Sequence, residues 1–320
     1  MPDSGNLSGE TAAAGASRDI HRFIIYQYGK VGSTSLSAAL NQLPGAQASA
    51  THFLGEKAFR EVFDRLLDPR TPQYFFEHES GQLFKNLRIH RQFLRRDIDP
   101  GALTVVSLAR EPFDWFRSAF AQDLRQHLEM LRAMLARREI ACADDGETVT
   151  AGLGMLLAKI AEAIELFGDL DKMCEGDRHR VLRKGLEHVN REDFRQFMHF
   201  LHLFLRPHIW FRNHFVQVLG FDLREMECVH TGVYRHRQDW GSTYVLRYES
   251  MEDAARWMFE DLGFDELLSL PRANVSADKP LAREIRRAFE SPQGAALRAL
   301  CHSADTRFLG YAEGESALPG

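Results

Sequence analysis

The sequence predicts an α/β fold that carries a helical insertion. Three observations lead there. Residues 23–26 (FIIY) are an apolar, aromatic and β-branched run, read as a buried strand, and the turn Gly29-Lys30-Val31-Gly32 leads from it into a helix over 33–40. Residues 103–108 form a second buried-strand run, followed by Arg110-Glu111-Pro112 and another helical pattern. Residues 119–214 then read as mostly helical. The length admits two domains, and one α/β domain with an insertion fits equally well. We take residues 1–20 as a tail, 21–290 as the domain, 119–214 as the insertion and 291–320 as a C-terminal extension.

In chain order, residues 1–17 are rich in Gly, Ser and Ala without an apolar run, which predicts a flexible tail rather than a signal peptide. The turn at 29–32 owes its shape to two glycines, which accept backbone conformations that a side chain forbids. Ser33, Thr34 and Ser35 stand where the helix begins, and Leu36, Ala39 and Leu40 give it an apolar face. Residues 48–54 (ASATHFL) read as a short strand with His52 near its end. Helices are predicted over 56–67 and 83–94, the second with a basic face of Lys85, Arg88, Arg91, Arg95 and Arg96. Asp68 to Pro72 (DPRTP) breaks the chain between them.

Within the insertion, helices are predicted over 124–138, 151–167 and 191–204, with a polar break at 141–148. His199, His202, His208 and His214 fall on or after the last of these; aromatic core packing explains them better than a metal site, because the carboxylate context of helical zinc motifs is missing. Residues 232–248 predict two strands about Gln238-Asp239-Trp240-Gly241. A helix over 251–262, closed by Gly263, and a last helix over 281–289 follow, and residues 309–320 read as a loose end.

The chemistry lies at the two strand-to-helix junctions. A helix N-terminus offers free N–H groups and the positive end of its dipole. With Lys30 and the hydroxyls of residues 33–35 it forms a phosphate cradle. The Walker A loop places its lysine directly before Ser or Thr; here Lys30 comes early and Gly32 precedes Ser33, which disfavours magnesium–ATP. At the second junction Arg110 sits at a strand's carboxyl end and Ser118 eight residues on, where both can converge on one phosphate. His52, near the end of the neighbouring strand, suits either a general base or a structural histidine hydrogen-bonded under the sheet.

The order Lys30-Val31-Gly32-Ser33-Thr34-Ser35 resembles the 5′-phosphosulfate loop of sulfotransferases that use 3′-phosphoadenosine 5′-phosphosulfate (PAPS), and Arg110-Glu111-Pro112 with Ser118 resembles their 3′-phosphate motif. Tyr248-Glu249 at a strand end is similar to a late strand of that superfamily. Asn274 to Lys279 (NVSADK) resembles a segment of bacterial sulfotransferase-like proteins associated with capsular polysaccharide synthesis, but Pro280 and Leu281 replace the aromatic residues that follow there. The resemblance implies a P-loop-like sulfotransferase fold, with a mostly parallel sheet and helices on both faces. It implies sulfuryl transfer from PAPS to a hydroxyl, on a sugar or glycan, without a metal. Lys30, Val31, Gly32, Ser33, Thr34 and Ser35 would bind the 5′-phosphate, with Lys30 also catalytic, and Arg110 and Ser118 the 3′-phosphate. His52 would be the base, as a histidine stands on this strand in some members, with Glu111 as its rival; Glu111 serves equally as an ion pair orienting Arg110. Members often carry a second Arg a few residues past this motif, and here Arg117 directly precedes Ser118.

Composition narrows the field further. A formal net charge of −5 argues against a general nucleic-acid binder. No run reaches the roughly 20 apolar residues of a membrane span. The four cysteines are scattered without zinc or CxxC spacing and predict reduced thiols. The expectation is therefore a soluble chain similar to bacterial cytoplasmic members. Two other classes remain open: a P-loop small-molecule kinase, and a catalytically silent sulfotransferase-like binding protein.

Overall fold

The computed structural model describes residues 20–69, 71, 73–95, 102–185, 190–264, 270 and 279–311. The expected N-terminal tail lies outside them, apart from residue 20. So do residues 274–278 of the NVSADK segment.

Six strands form one sheet: β1 His21–Tyr26, β2 Ala46–Thr51, β3 Leu103–Ala109, β4 Glu227–His230, β5 Val233–Gln238 and β6 Gly241–Arg247. Their spatial order is β2-β1-β3-β6-β5-β4. The first four of that series run parallel, and β5 and β4 continue the sheet antiparallel. All seven residues of β3 are buried, so both of its faces are covered, as a near-continuous apolar strand in a parallel sheet requires. Its register sets Ile25 beside Val106 and Val106 beside Tyr244, which joins the two sequence-predicted strand tips side by side. The chain is thus α/β with a mostly parallel central sheet.

Helix α1 (Ser33–Leu40) follows β1 and packs against β2. Helices α2 (Glu56–Leu67) and α3 (Gln73–Arg95) pack on each other and leave Phe63, Leu67, Phe76, Phe84 and Leu87 exposed. Between β3 and β4 run α4 (Pro112–Gln122), α5 (Leu124–Ala136), α6 (Asp145–Phe167), α7 (Leu170–Glu175), α8 (Arg178–Gly185), α9 (Arg191–Trp210) and α10 (Val216–Leu219). Side-chain caps start several of them: Asp144 accepts from the Glu147 amide, Asp169 from Lys172 and Asn190 from Asp193. Helix α9 continues through Pro207, which has no N–H to give the Leu203 carbonyl, and the chain widens into a π turn at Phe211–Phe215.

Helix α11 (Met251–Asp261) packs on β5 and β6. Helices α12 (Ala282–Phe289) and α13 (Pro292–Ala299) pack on α6, and α14 (Ala304–Phe308) closes the described chain. Here the structure departs, over residues 309–311, from the sequence expectation of a loose end; residues 312–320 of that expectation lie outside the described residues. Leu309 and Tyr311 are buried, and the Tyr311 hydroxyl donates to Glu249 at 2.9 Å under the Arg247 guanidinium. Apolar anchors spaced along a polar segment hold it against the body.

All four cysteines are free thiols. Among the described residues, no helix is long and apolar enough to cross a membrane, and no group of three or more His, Cys, Asp or Glu could hold a metal ion.

Candidate active site

The loop after β1 is shaped by its backbone. Gly29, Lys30 and Gly32 all have positive φ, at 88°, 58° and 84°. Lysine rarely adopts that region, so the loop is held there by its surroundings. Its carbonyls are tied toward β3 and α4: Trp115 Nε1 donates to the Gly29 carbonyl at 2.6 Å, and Arg110 Nη1 to the Lys30 carbonyl at 3.1 Å. The Gly29 amide donates to the Gln27 side-chain oxygen. Gly32 is fixed by packing: a Cβ there would lie 2.9 Å from the Met251 side chain and 3.1 Å from Tyr248.

Gly32 caps α1 without a side-chain acceptor, and the first helical bond runs from the Leu36 amide to the Gly32 carbonyl. The amides of Ser33, Thr34 and Ser35 precede it and have no acceptor within the helix. This is a set of aligned donors at the positive end of a dipole, suited to an anion. Val31 and Ser35 are buried, whereas Ser33 and Thr34 line a cavity of about 660 Å³ together with Gly29, Lys30 and His52. Lys30 has no carboxylate partner among the described residues. Burial lowers its pKa, and the charge of Lys279 adds to the effect while Asp123 opposes it.

His52 lies just past β2, exposed to the cavity rather than buried under the sheet. Its Nδ1 is 3.0 Å from the Gln27 carbonyl and 3.2 Å from Gln27 Nε2. A proton on Nδ1 satisfies the carbonyl and leaves Nε2 as the basic nitrogen. Although the ring is exposed, the walls around it lower its pKa by desolvation, and Arg206, Lys85 and Lys30 lower it further, while the Gln27 carbonyl opposes them. Gln27 is fully buried and also donates to Ser33 Oγ at 3.0 Å, so one side chain positions the loop, the helix start and the histidine.

At the tip of β3 the Arg110 amide donates to the Tyr28 hydroxyl at 3.0 Å, and its guanidinium stacks over Tyr248 at 4.6 Å. Arg110 and the Lys30 loop are thus joined. Ser118 is buried on α4, and neither it nor Arg110 is among the residues lining the cavity. Glu111 also lies outside that lining. Its carboxylate caps α4 by accepting from the Asp114 amide at 2.6 Å, and Arg298 lies 3.7 Å away, so it pairs with Arg298 rather than with Arg110. Burial raises its pKa. Arg117 pairs with Asp114 at 3.0 Å. The Glu111 amide donates to Glu249 at 2.7 Å, which ties the tip of β3 to that of β6.

The histidines of α9 scatter. His208 is buried, with Nδ1 3.3 Å from Ser303 Oγ and Nε2 3.7 Å from Cys301 Sγ, and its pKa falls to about 3 because its charge would be desolvated. His199 meets His127 at 3.5 Å, and His214 lines the cavity. Sequence reasoning missed Gln27, Trp115 and Arg206, which all line or shape the site. Gln27 carried one local signal: a polar residue ending an apolar strand directly before a glycine turn.

No family model, curated protein or solved structure matches this chain.

Proposed function

We propose that the chain is a PAPS-dependent sulfotransferase with the sulfotransferase fold, passing a sulfuryl group to a hydroxyl acceptor such as a sugar. One observation carries the reading: Arg110 of the second motif donates to the carbonyl of Lys30 in the first, beside a helix N-terminus whose amides are free. Two phosphate-binding elements so joined suit a nucleotide phosphorylated on both its 5′ and 3′ positions.

The donor supplies an activated sulfuryl group at a phosphate anhydride. In this reading the amides of Gly32 to Ser35 and the hydroxyls of Ser33 and Thr34 hold the 5′-phosphate, with buried Ser35 supporting the helix start. Lys30 neutralises the charge that grows on the bridging oxygen as its bond to sulfur breaks. Arg110 and Ser118 take the 3′-phosphate. The acceptor hydroxyl attacks sulfur and gives its proton to His52 Nε2, and 3′,5′-adenosine bisphosphate leaves. Position favours His52 over Glu111 as the base, because His52 opens to the cavity and Glu111 caps a helix.

Calorimetric titration tests the nucleotide assignment. Adenosine 3′,5′-bisphosphate should bind roughly ten- to hundredfold more tightly than AMP, as a charge-assisted contact to the 3′-phosphate provides. Arg110→Ala should abolish the gap. Equal affinity of the two nucleotides for the unaltered chain would refute the reading.

A further inference from the structure

The cavity beyond the phosphate loop has a composition that specifies more than a hydroxyl. Its floor is aromatic: Tyr28 lies 5.6 Å from Trp115 and 5.7 Å from Trp210, centroid to centroid. Its far wall is α9, where Leu203, Arg206 and Trp210 face inward at helical spacing. Arg206 is accessible to solvent, and its guanidinium stands 5.9 Å above the Trp115 ring. Among the described residues no carboxylate comes within ion-pair reach of it; Asp123, the nearest opposing charge named for it, acts only at longer range. The surrounding walls strip water from it enough to lower its pKa, and its field depresses the pKa of His52, His199 and His214. Its guanidinium therefore faces the cavity open to solvent and available to an anionic ligand.

With Lys30 assigned to the 5′-phosphate, Arg206 is the lining cation placed to receive a negative charge at the acceptor end of the cavity. A volume of about 660 Å³ fits a molecule of one or two rings.

We infer that the ligand of this cavity is a ring-bearing hydroxyl compound with a carboxylate, such as a sugar acid, and that Arg206 receives the carboxylate. As a statement about the acceptor this rests on the proposed sulfuryl transfer; as a binding site it stands on the cavity itself. A forked guanidinium meets a carboxylate through two parallel hydrogen bonds, which fixes the ring's orientation as well as its affinity. The carboxylate end then sits on α9, and the hydroxylated end extends toward His52 across the aromatic floor.

Calorimetry with the full chain tests this, using 4-nitrophenyl β-D-glucuronide and its neutral counterpart 4-nitrophenyl β-D-glucoside, each with adenosine 3′,5′-bisphosphate present. The glucuronide should bind roughly ten- to hundredfold more tightly. Arg206→Ala should reduce the preference to about twofold or less, Arg206→Lys should keep part of it, and Lys30→Ala should keep it whole. Unaltered bisphosphate affinity in Arg206→Ala would show that the variant is folded wherever the wild type binds that nucleotide, and an unchanged melting temperature serves otherwise. Equal affinity for the two glycosides, failure to bind either, or a preference that survives in Arg206→Ala would overturn the inference. A glucuronide preference that depends on Arg206 in a chain that ignores the bisphosphate would uphold the carboxylate site and remove the sulfuryl-transfer reading.

Discussion

Replacing Gln27 tests whether one buried amide sets both the loop and the proposed base, His52. Gln27 is fully buried; its oxygen accepts from the Gly29 amide, and its nitrogen donates to Ser33 and lies 3.2 Å from His52 Nδ1. In Gln27→Leu the half-buried Ser33 hydroxyl can turn to water, but the Gly29 amide loses its acceptor inside the loop. Gly29 is half-buried at the cavity wall, so each lost hydrogen bond costs about 0.5–1.5 kcal/mol and the variant should be destabilised by about 1–3 kcal/mol. Urea unfolding measures this, and titration with adenosine 3′,5′-bisphosphate should show weaker binding as the loop loosens. Gln27→Glu asks a sharper question, because it keeps the acceptor for Gly29 and places a carboxylate beside His52. An adjacent opposite charge raises a histidine pKa by about 1–3 units. A base works only when deprotonated, so the acid limb of the pH–rate profile should move upward by about a unit or more. In the wild type that limb should lie below the ordinary histidine value, because enclosure and nearby cations lower the pKa of His52. A Gln27→Leu chain within about 0.5 kcal/mol of wild type, or a Gln27→Glu profile that superimposes on the wild-type profile, would refute the reasoning.

Other predictions are briefer. Lys30→Ala should lower the rate of sulfuryl transfer more than it weakens bisphosphate binding, since the charge it meets grows in the transition state; poor binding with normal turnover at saturation would make Lys30 a binding residue alone. His52→Ala should retain bisphosphate affinity and lose roughly two to four orders of magnitude in turnover, whereas Glu111→Ala should mainly lower the melting temperature through its lost cap; near-normal turnover in His52→Ala would reverse these roles. His208 is held neutral with its pKa depressed to about 3, so the unfolded chain binds the proton more readily below its own value of 6.5. Stability therefore falls as pH drops through 6.5, by about 2 kcal/mol between pH 7 and pH 5, and urea unfolding of His208→Gln should lack that component of the slope.

The parts of the fold legible in the sequence are those written locally. The strand, turn and helix of residues 21–40 need only an apolar run, two glycines and a helical face, and β1 and α1 fall where these lie. The hairpin of β5 and β6 was likewise visible from its central turn. Strand β4 was not, because its four residues lie at a partly exposed edge and carry little apolar patterning. Helix α9 was read as far as 204; Pro207 hides its continuation, since the rule that proline ends helices fails where neighbouring packing holds the chain. Arg206 was illegible for another reason. A cation on an amphipathic helix reads as a solvated face, and only the tertiary placement of α9 beside α4 turns it inward. The pairing of Glu111 with Arg298 was hidden by the same sequence distance.

The order of strands also constrains how the chain assembles. Strand β3 waits for β6 as its parallel partner, and all of α4 to α10, together with the β4–β5 hairpin, lies between them in sequence. Pairing across so long a loop is entropically late and slows folding. The β2-β1-β3 unit, which carries the loop at residues 29–32, has no such wait, yet Tyr248 and Met251 at the far side of Gly32 reach it only once β6 has docked. An incomplete chain stopped before β6 would therefore expose the flank of β3, a fully buried strand, with unpaired backbone groups. During synthesis that edge is the segment most in need of protection from pairing with another chain.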